Sequence, residues 1–214
     1  MGNANKTHQP IDRGLKAKTI NKVLFKKISG WIATLPEDMA KIATENVIVS
    51  GGCIASMLLG ERPNDYDCYF KTRAATLAMA RHYVGGKGSV LIEEHDDRIR
   101  LIVRQGAEVD GAEDMPLGEE ELVDEYDPAD DVAADEVKAE GRALYELAYV
   151  TTNAISLSGG LQLVTRFFGE PDEIHANYDF AHCTNYYDYK TNTLVLRPKE
   201  IGRASCRERV YVLV

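Results

Sequence analysis

One short stretch restricts the possible folds of this 214-residue chain more than any other part of it. Within residues 46–71 the run NVIVS ends in Gly51 and Gly52, the apolar segment CIASMLL follows, and DYDCYF comes after the turn residues ERPN. The β-rich runs predict two strands and the apolar segment predicts a helix. The glycine pair ends the first run, Gly60 closes the helix, and the Pro-Asn turn precedes the second run. A strand, a helix and a strand in quick succession favour a chain that mixes α and β structure.

The remaining apolar patterns predict an α+β fold, with a mixed β-sheet and flanking helices. Asp96-Asp97 is a turn between two strands, AISL and LQLVTRF form a hairpin across 158–160, and HCTNYYDY with TLVLRP suggests a last hairpin. ALYELAYV fits a helix or a strand. Further helices are predicted over 11–33, 36–45, 73–84 and 170–180.

Negative charge is concentrated in one segment. Between Glu108 and Glu140 there are 15 Asp or Glu and one Lys, a net charge of −14, whereas the whole chain carries −9 and the remainder therefore +5. Such a segment cannot offset its ordering entropy by burial, so we predict a partly disordered insertion over 107–141. An acidic partner-binding element or nucleic-acid mimic is the alternative. The basic residues of 6–27 fit a solvated helix face or a contact with phosphates.

The last residues are typical of an artefact. The string EIGRASCRERV resembles a translated sequencing-library adapter, so 200–214 is predicted to be a non-native tail, with a basic amphipathic terminus as the alternative. The predicted organisation is N-terminal helices, the first part of the core, the acidic insertion, the second part of the core, and the tail. These segments are 1–45, 46–106, 107–141, 142–199 and 200–214.

Composition excludes several classes of protein. The chain has no apolar run long enough for a membrane helix and no signal-peptide pattern, so we expect no membrane partner. The four cysteines lack a spacing typical of zinc sites, which favours reduced thiols in a cytoplasmic protein.

The residues that point to chemistry lie in the opening stretch. Gly51 and Gly52 stand where a strand meets a helix, and free backbone N–H groups there favour an anion such as a triphosphate. Asp65 and Asp67 are two positions apart on a strand, so both carboxylates point to the same face. Mg²⁺ prefers one or two carboxylates together with phosphate oxygens. The pattern therefore predicts metal-assisted nucleotidyl transfer.

At these residues the chain resembles the DNA polymerase β-like nucleotidyltransferase superfamily, whose signature is a glycine pair after a strand and then Asp-x-Asp. The resemblance implies a nucleotidyltransferase-like core in which Asp65 and Asp67 are catalytic and hold Mg²⁺ or Mn²⁺. Gly51 and Gly52 would contact the phosphates of an NTP, and Ser50 could donate a hydrogen bond there or act as a cap. A later block, AISLSGGLQLVTRFFGEPDEIHANYDFAHCTNYYD, is similar to uncharacterised phage-encoded proteins of this superfamily.

The same resemblance implies a third carboxylate on a neighbouring strand. Asp179 is preferred, as it lies between two aromatic residues outside the acidic insertion, and Asp110 and Glu93 are the other candidates. A metal bound by His175, Asp179 and His182 on one helix face is an alternative use of that region. Lys71 and Arg73, just after the Asp-x-Asp strand, face the triphosphate or are ordinary surface charges.

Two functions follow from these residues. The first is a metal-dependent enzyme that moves a nucleoside monophosphate from an NTP to an acceptor hydroxyl on tRNA, other RNA, protein or a small molecule. The alternative is a catalytically inactive binding or regulatory protein of a phage with the same fold, acting in the host cytoplasm. A domain whose acids are plain surface groups is the remaining interpretation.

Overall fold

A computed structural model describes residues 14–86, 90–103, 145–178 and 181–197. The predicted insertion over 107–141 and the predicted tail over 200–214 lie outside these ranges.

The described residues form five α-helices, each with a local reason to form. In the first, residues at helical spacing are fully buried, among them Ile20, Leu24 and Ile28. The fourth begins after Thr72, whose hydroxyl accepts a hydrogen bond from the Ala75 N–H. The fifth begins with a proline and a capping box. The helices are α1 Ala17–Ile32, α2 Glu37–Asn46, α3 Gly52–Leu59, α4 Arg73–Val84 and α5 Pro171–His175.

Nine strands in the described ranges build two sheets, and the α+β prediction with a mixed sheet is confirmed. The larger has the order β5-β6-β7-β2-β1-β8-β9, in which only β2 and β7 run parallel; β3 and β4 form a separate hairpin. The strands are β1 Val47–Ser50, β2 Tyr66–Phe70, β3 Val90–Glu94, β4 Ile99–Val103, β5 Leu147–Val150, β6 Ala154–Leu157, β7 Leu161–Phe168, β8 Tyr186–Asp188 and β9 Thr193–Val195.

The two faces of the larger sheet are covered unequally. One face, which includes Val49 and Cys68, belongs to the main apolar core, where residues of α1, α3 and α4 pack. The opposite face has a small cluster around Ile48, Tyr69 and Ile174. Because side chains alternate along a strand, Asp67 lies on the same face as Tyr69, beyond the small cluster. This is where the candidate site lies.

Most elements lie where the sequence predicts them. The first helix starts at Ala17, later than its predicted start at residue 11, and the ambiguous ALYELAYV contributes a strand, β5. Gly60 ends α3 in the left-handed conformation, with φ +75°. None of the described helices has the length and apolar character needed to cross a membrane.

Candidate functional site

The carboxylates of Asp65 and Asp67 lie at the start of β2, on the face opposite the main core. Asp65 immediately precedes the strand and is exposed, whereas Asp67 is half-buried within it. Between them, Tyr66 points into the main core and is only 3% exposed. The structure therefore brings the two acids to one face, as strand alternation predicts.

Gly51 provides the space for the Asp67 carboxylate. Its φ of +96° is open to glycine but strained for other residues. A Cβ at this position would also lie 2.6 Å from Asp67 Oδ2, so the carboxylate packs directly against the backbone. Gly52, the first residue of α3, is exposed, and a Cβ there would meet nothing within 4 Å. The start of α3 is thus open to solvent close to Asp67.

The electrostatics of the pair favour a bound cation. Burial raises the pKa of Asp67 to about 7, and the negative charge of Asp65 contributes to that rise. Although Asp65 is exposed, partial desolvation by the surrounding protein also raises its pKa. Two neighbouring carboxylates whose ionised forms are disfavoured fit a divalent cation, which neutralises both. In the described ranges no three His, Cys, Asp or Glu residues are grouped as a metal site. A cation here would therefore need further oxygen ligands.

Ser50 lies behind the glycine pair and holds a second segment of the chain. It is fully buried, and its Oγ lies 2.8 Å from Nε2 of His175 and 2.9 Å from the carbonyl oxygen of Asn185. The Gly51 N–H donates to the carbonyl oxygen of Cys183 at 3.2 Å. The end of β1 is therefore fastened to residues 183–185. A contact between Ser50 and a phosphate stays a prediction.

His175 is a buried residue whose surroundings disfavour the charged imidazole. Burial, with the nearby charge of Arg197, lowers its pKa to about 4. Its ring packs edge-on against Tyr178, with centroids 5.1 Å apart. Since α5 ends at His175, the helical face proposed for His175, Asp179 and His182 does not extend through this region.

The candidates for a third carboxylate are not brought to the pair in the described ranges. Asp179 and Asp110 lie outside those ranges. Glu93 belongs to the separate β3–β4 hairpin, where its Oε2 lies 3.8 Å from His95 Nε2. The residue that does face Asp67 from the neighbouring strand is Gln162, on β7. Sequence reasoning missed Gln162, because only the register of the parallel pair reveals it.

The two basic candidates after β2 are engaged elsewhere. Lys71 follows the far end of β2 and lies 2.6 Å from Asp188, and Arg73 is 2.9 Å from Glu94. The structure therefore does not bring them to the carboxylate pair, since Asp65 and Asp67 lie at the other end of the strand.

Comparison with known proteins gives one family and no individual relative. No curated protein and no solved structure matches the chain. The model of the family described as "Gabija anti-defense 2 family protein" matches residues 22–206. This match covers the described strands and helices from within α1 onward, and it continues past residue 199.

The family match corrects the resemblance inferred from the glycine pair and Asp-x-Asp. No nucleotidyltransferase family is matched, so the assignment to the DNA polymerase β-like superfamily is wrong. That assignment rested on four residues, Gly51, Gly52, Asp65 and Asp67. A strand, a glycine turn and an acidic strand also recur in unrelated proteins, so this pattern alone does not identify a family. The chain belongs to the Gabija anti-defense 2 family, a family of phage anti-defence proteins.

Proposed function

We propose that this protein is made by a phage during infection and counters the Gabija defence in the host cytoplasm by binding one of its components. The family match over residues 22–206 supports the proposal, since it covers most of the chain. It favours the phage binding or regulatory protein over the nucleotidyltransferase, the other function that the sequence predicts.

A plaque assay tests this proposal. Bacteria that carry the Gabija genes would express the chain and be challenged with a phage that Gabija restricts. We expect plaque counts to recover towards those on a strain without Gabija. A strain with an unrelated defence system is the control, and its plaque counts should not change. Unchanged restriction by Gabija, with the chain present in the cells, would contradict the proposal.

A second candidate function is supported by the geometry of the carboxylate pair. We propose that Asp65 and Asp67 hold Mg²⁺ or Mn²⁺, and that the exposed backbone at Gly52 meets the phosphates of an NTP. The raised pKa of Asp67 supports this, because a cation would offset the burial and the charge of Asp65 that together raise it. The cation would supply charge neutralisation for transfer of a nucleoside monophosphate to a hydroxyl. The acceptor would be tRNA, other RNA, protein or a small molecule, and Asp179 stays the proposed third acid.

Ligand-dependent melting tests the second function. An NTP with Mg²⁺ at a hundred times its Kd should stabilise the chain by roughly 2.7 kcal/mol. Asp65→Asn and Asp67→Asn should fold and lose this effect, whereas the control Asp96→Asn, which removes an exposed carboxylate from the β3–β4 turn, should keep it. No stabilisation of the wild type by any NTP would contradict nucleotide binding.

The plaque assay with the same variants separates the two functions. If Asp67→Asn still protects the phage, binding alone accounts for the anti-defence activity. If it folds but no longer protects while Asp96→Asn does, the carboxylate pair takes part in that activity.

A further inference from the structure

A row of polar side chains crosses the sheet at the level of Asp67. In the parallel β2–β7 pair Asp67 is the register partner of Gln162, and in the antiparallel β6–β7 pair Gln162 is the partner of Ser156. On the other side Asp67 is paired with Ser50. Register partners project to the same face of a sheet, so these four side chains lie on the face that carries the carboxylate pair.

The packing of β7 aims Gln162 at this face. Its neighbours Leu161 and Leu163 are each 1% exposed and lie in the main core on the opposite face. A one-residue slip would move both leucines out of that core, so the register is strongly specified. Gln162 itself is half-buried, and its backbone is one strand spacing, about 4.8 Å, from that of Asp67. An extended glutamine side chain spans that distance.

Ser156 adds an independent observation that points to a missing contact. It is only 6% exposed, yet its Oγ has no hydrogen-bond partner. A buried hydroxyl without a partner is unfavourable, and such groups usually gain one from a water, an ion or a ligand-induced rearrangement. Its register partner Gln162 carries both an amide donor and an amide acceptor. The Gln162 amide can therefore contact a cation bound by Asp67 and the Ser156 hydroxyl at the same time.

We propose that Gln162 is a further ligand of the divalent cation held by Asp65 and Asp67. Its Oε1 turns to the cation, and its Nε2 donates a hydrogen bond to Ser156 Oγ. This inference rests on the proposed cation site. An amide oxygen is a ligand that Mg²⁺ and Mn²⁺ accept, and it leaves the charge of two carboxylates and one divalent cation balanced. The same hydrogen bond gives the buried Ser156 hydroxyl its partner.

Binding of Mn²⁺ alone to the full chain tests the inference. Electron paramagnetic resonance measures it, because the signal of free Mn²⁺ is lost when the ion binds. Gln162→Met keeps the length of the side chain and removes the amide. We expect binding weakened by roughly tenfold or more, since even the partners that support metal ligands contribute about that much. Gln162→Glu restores an oxygen ligand and should bind at least as tightly as the wild type. Ser156→Ala should weaken binding less than Gln162→Met. Asp96→Asn is the matched control and should bind as the wild type does.

The outcomes separate this inference from the cation site on which it rests. If the wild type binds no Mn²⁺, the proposed cation site is wrong, and the role of Gln162 is wrong with it. If Asp67→Asn loses binding while a folded Gln162→Met keeps it, the cation site stands and Gln162 is not a ligand. Should Gln162→Met fail to fold, a Gln162→Glu variant with weaker binding than the wild type would overturn the inference.

Discussion

The ionised carboxylate of Asp67 lowers the stability of the fold. Its carboxylate is half-buried, lies against Gly51 and is repelled by Asp65, which together give it a pKa of about 7 against an ordinary value of 3.8. His175, on the same face, has the opposite shift, from 6.5 to about 4. The two residues therefore give stability opposite dependences on pH.

The first prediction concerns Asp67→Asn. A carboxyl with a raised pKa binds its proton more tightly when folded, so its contribution to stability falls as pH rises from about 4 to about 7. His175 contributes stability that is lost as pH falls from about 6.5 to about 4. In wild type these trends offset each other, whereas Asp67→Asn should become more stable as pH rises from 4 to 6.5. Urea unfolding between pH 4 and 8 measures this.

At pH 8 the Asp67→Asn variant should have a larger free energy of unfolding than the wild type. Mg²⁺ should reduce this difference, because it should stabilise the wild type alone. A variant no more stable than the wild type at pH 8 would show that the Asp67 carboxylate is well solvated or otherwise neutralised.

The second prediction concerns Ser50. Replacing it by alanine removes the partner of His175 Nε2 and the hydroxyl that lies within hydrogen-bond distance of the carbonyl oxygens of Asn185 and Cys183. The cost should be about 1–3 kcal/mol, as for a buried polar group that loses its partner. Chemical denaturation measures the loss. Ser56→Ala on α3 is the matched control and should change stability little. Equal effects of the two substitutions would contradict a clamping role for Ser50.

Among the elements, the junction of β1 with α3 is the one whose geometry matters most for the site. Gly51 and Gly52 are adjacent and identical in the sequence, yet they differ in what surrounds them. Gly51 has a positive φ and sits against the Asp67 carboxylate, whereas Gly52 begins the helix in open space. The sequence alone does not distinguish them.

The third prediction follows from that difference. Gly51→Ala should destabilise the protein by about 1–3 kcal/mol, because alanine is strained at this backbone conformation and its Cβ displaces Asp67. Its Mn²⁺ binding should also weaken. Gly52→Ala, the matched control, meets no atom and should be neutral or slightly stabilising, since alanine favours the helix. Thermal melts of the two variants compare them directly, and equal losses would contradict the geometry of the junction.

Local patterns predicted the elements well because each carries its own signal. The spacing of apolar residues in α1, the left-handed Gly60 after α3 and the turn residues between β3 and β4 all act over a few positions. The order of strands was beyond such reasoning. The parallel β2–β7 pairing joins residues far apart in sequence, and it is this pairing that places Gln162 beside Asp67. The spacing of Asp65 and Asp67 can therefore be read from the sequence, whereas the position of Gln162 beside them cannot.

In the whole molecule, the densest negative charge lies in one segment of the chain, between two stretches that form the core. The segment with 15 acids and one lysine interrupts the core sequence, and strands on both sides of it belong to the fold. The Leu101 N–H donates to the carbonyl oxygen of Thr152 at 3.0 Å, so the structure before the segment contacts the structure after it. A short linker is therefore expected to close the gap.

The fourth prediction is that deletion of residues 111–139, with a short Gly-Ser linker in their place, leaves a core that unfolds cooperatively. The segment has too few apolar residues to contribute to the core, and lengthening or shortening a loop changes closure entropy only slowly. Calorimetry measures the transition. Loss of a cooperative transition would show that the segment packs against the core.

The strand order has a consequence for how the protein is made. Strand β1 is buried at all four positions, but its neighbour β8 and the β7 partner of β2 are synthesised on the order of a hundred residues later. At roughly 5–20 residues per second, the ribosome releases β1 and β2 seconds before their partners. The acidic segment emerges in that interval, and we expect its negative charge to oppose association between nascent chains while apolar strands are uncovered. The deletion variant, although stable once folded, should accordingly yield more aggregated protein during expression.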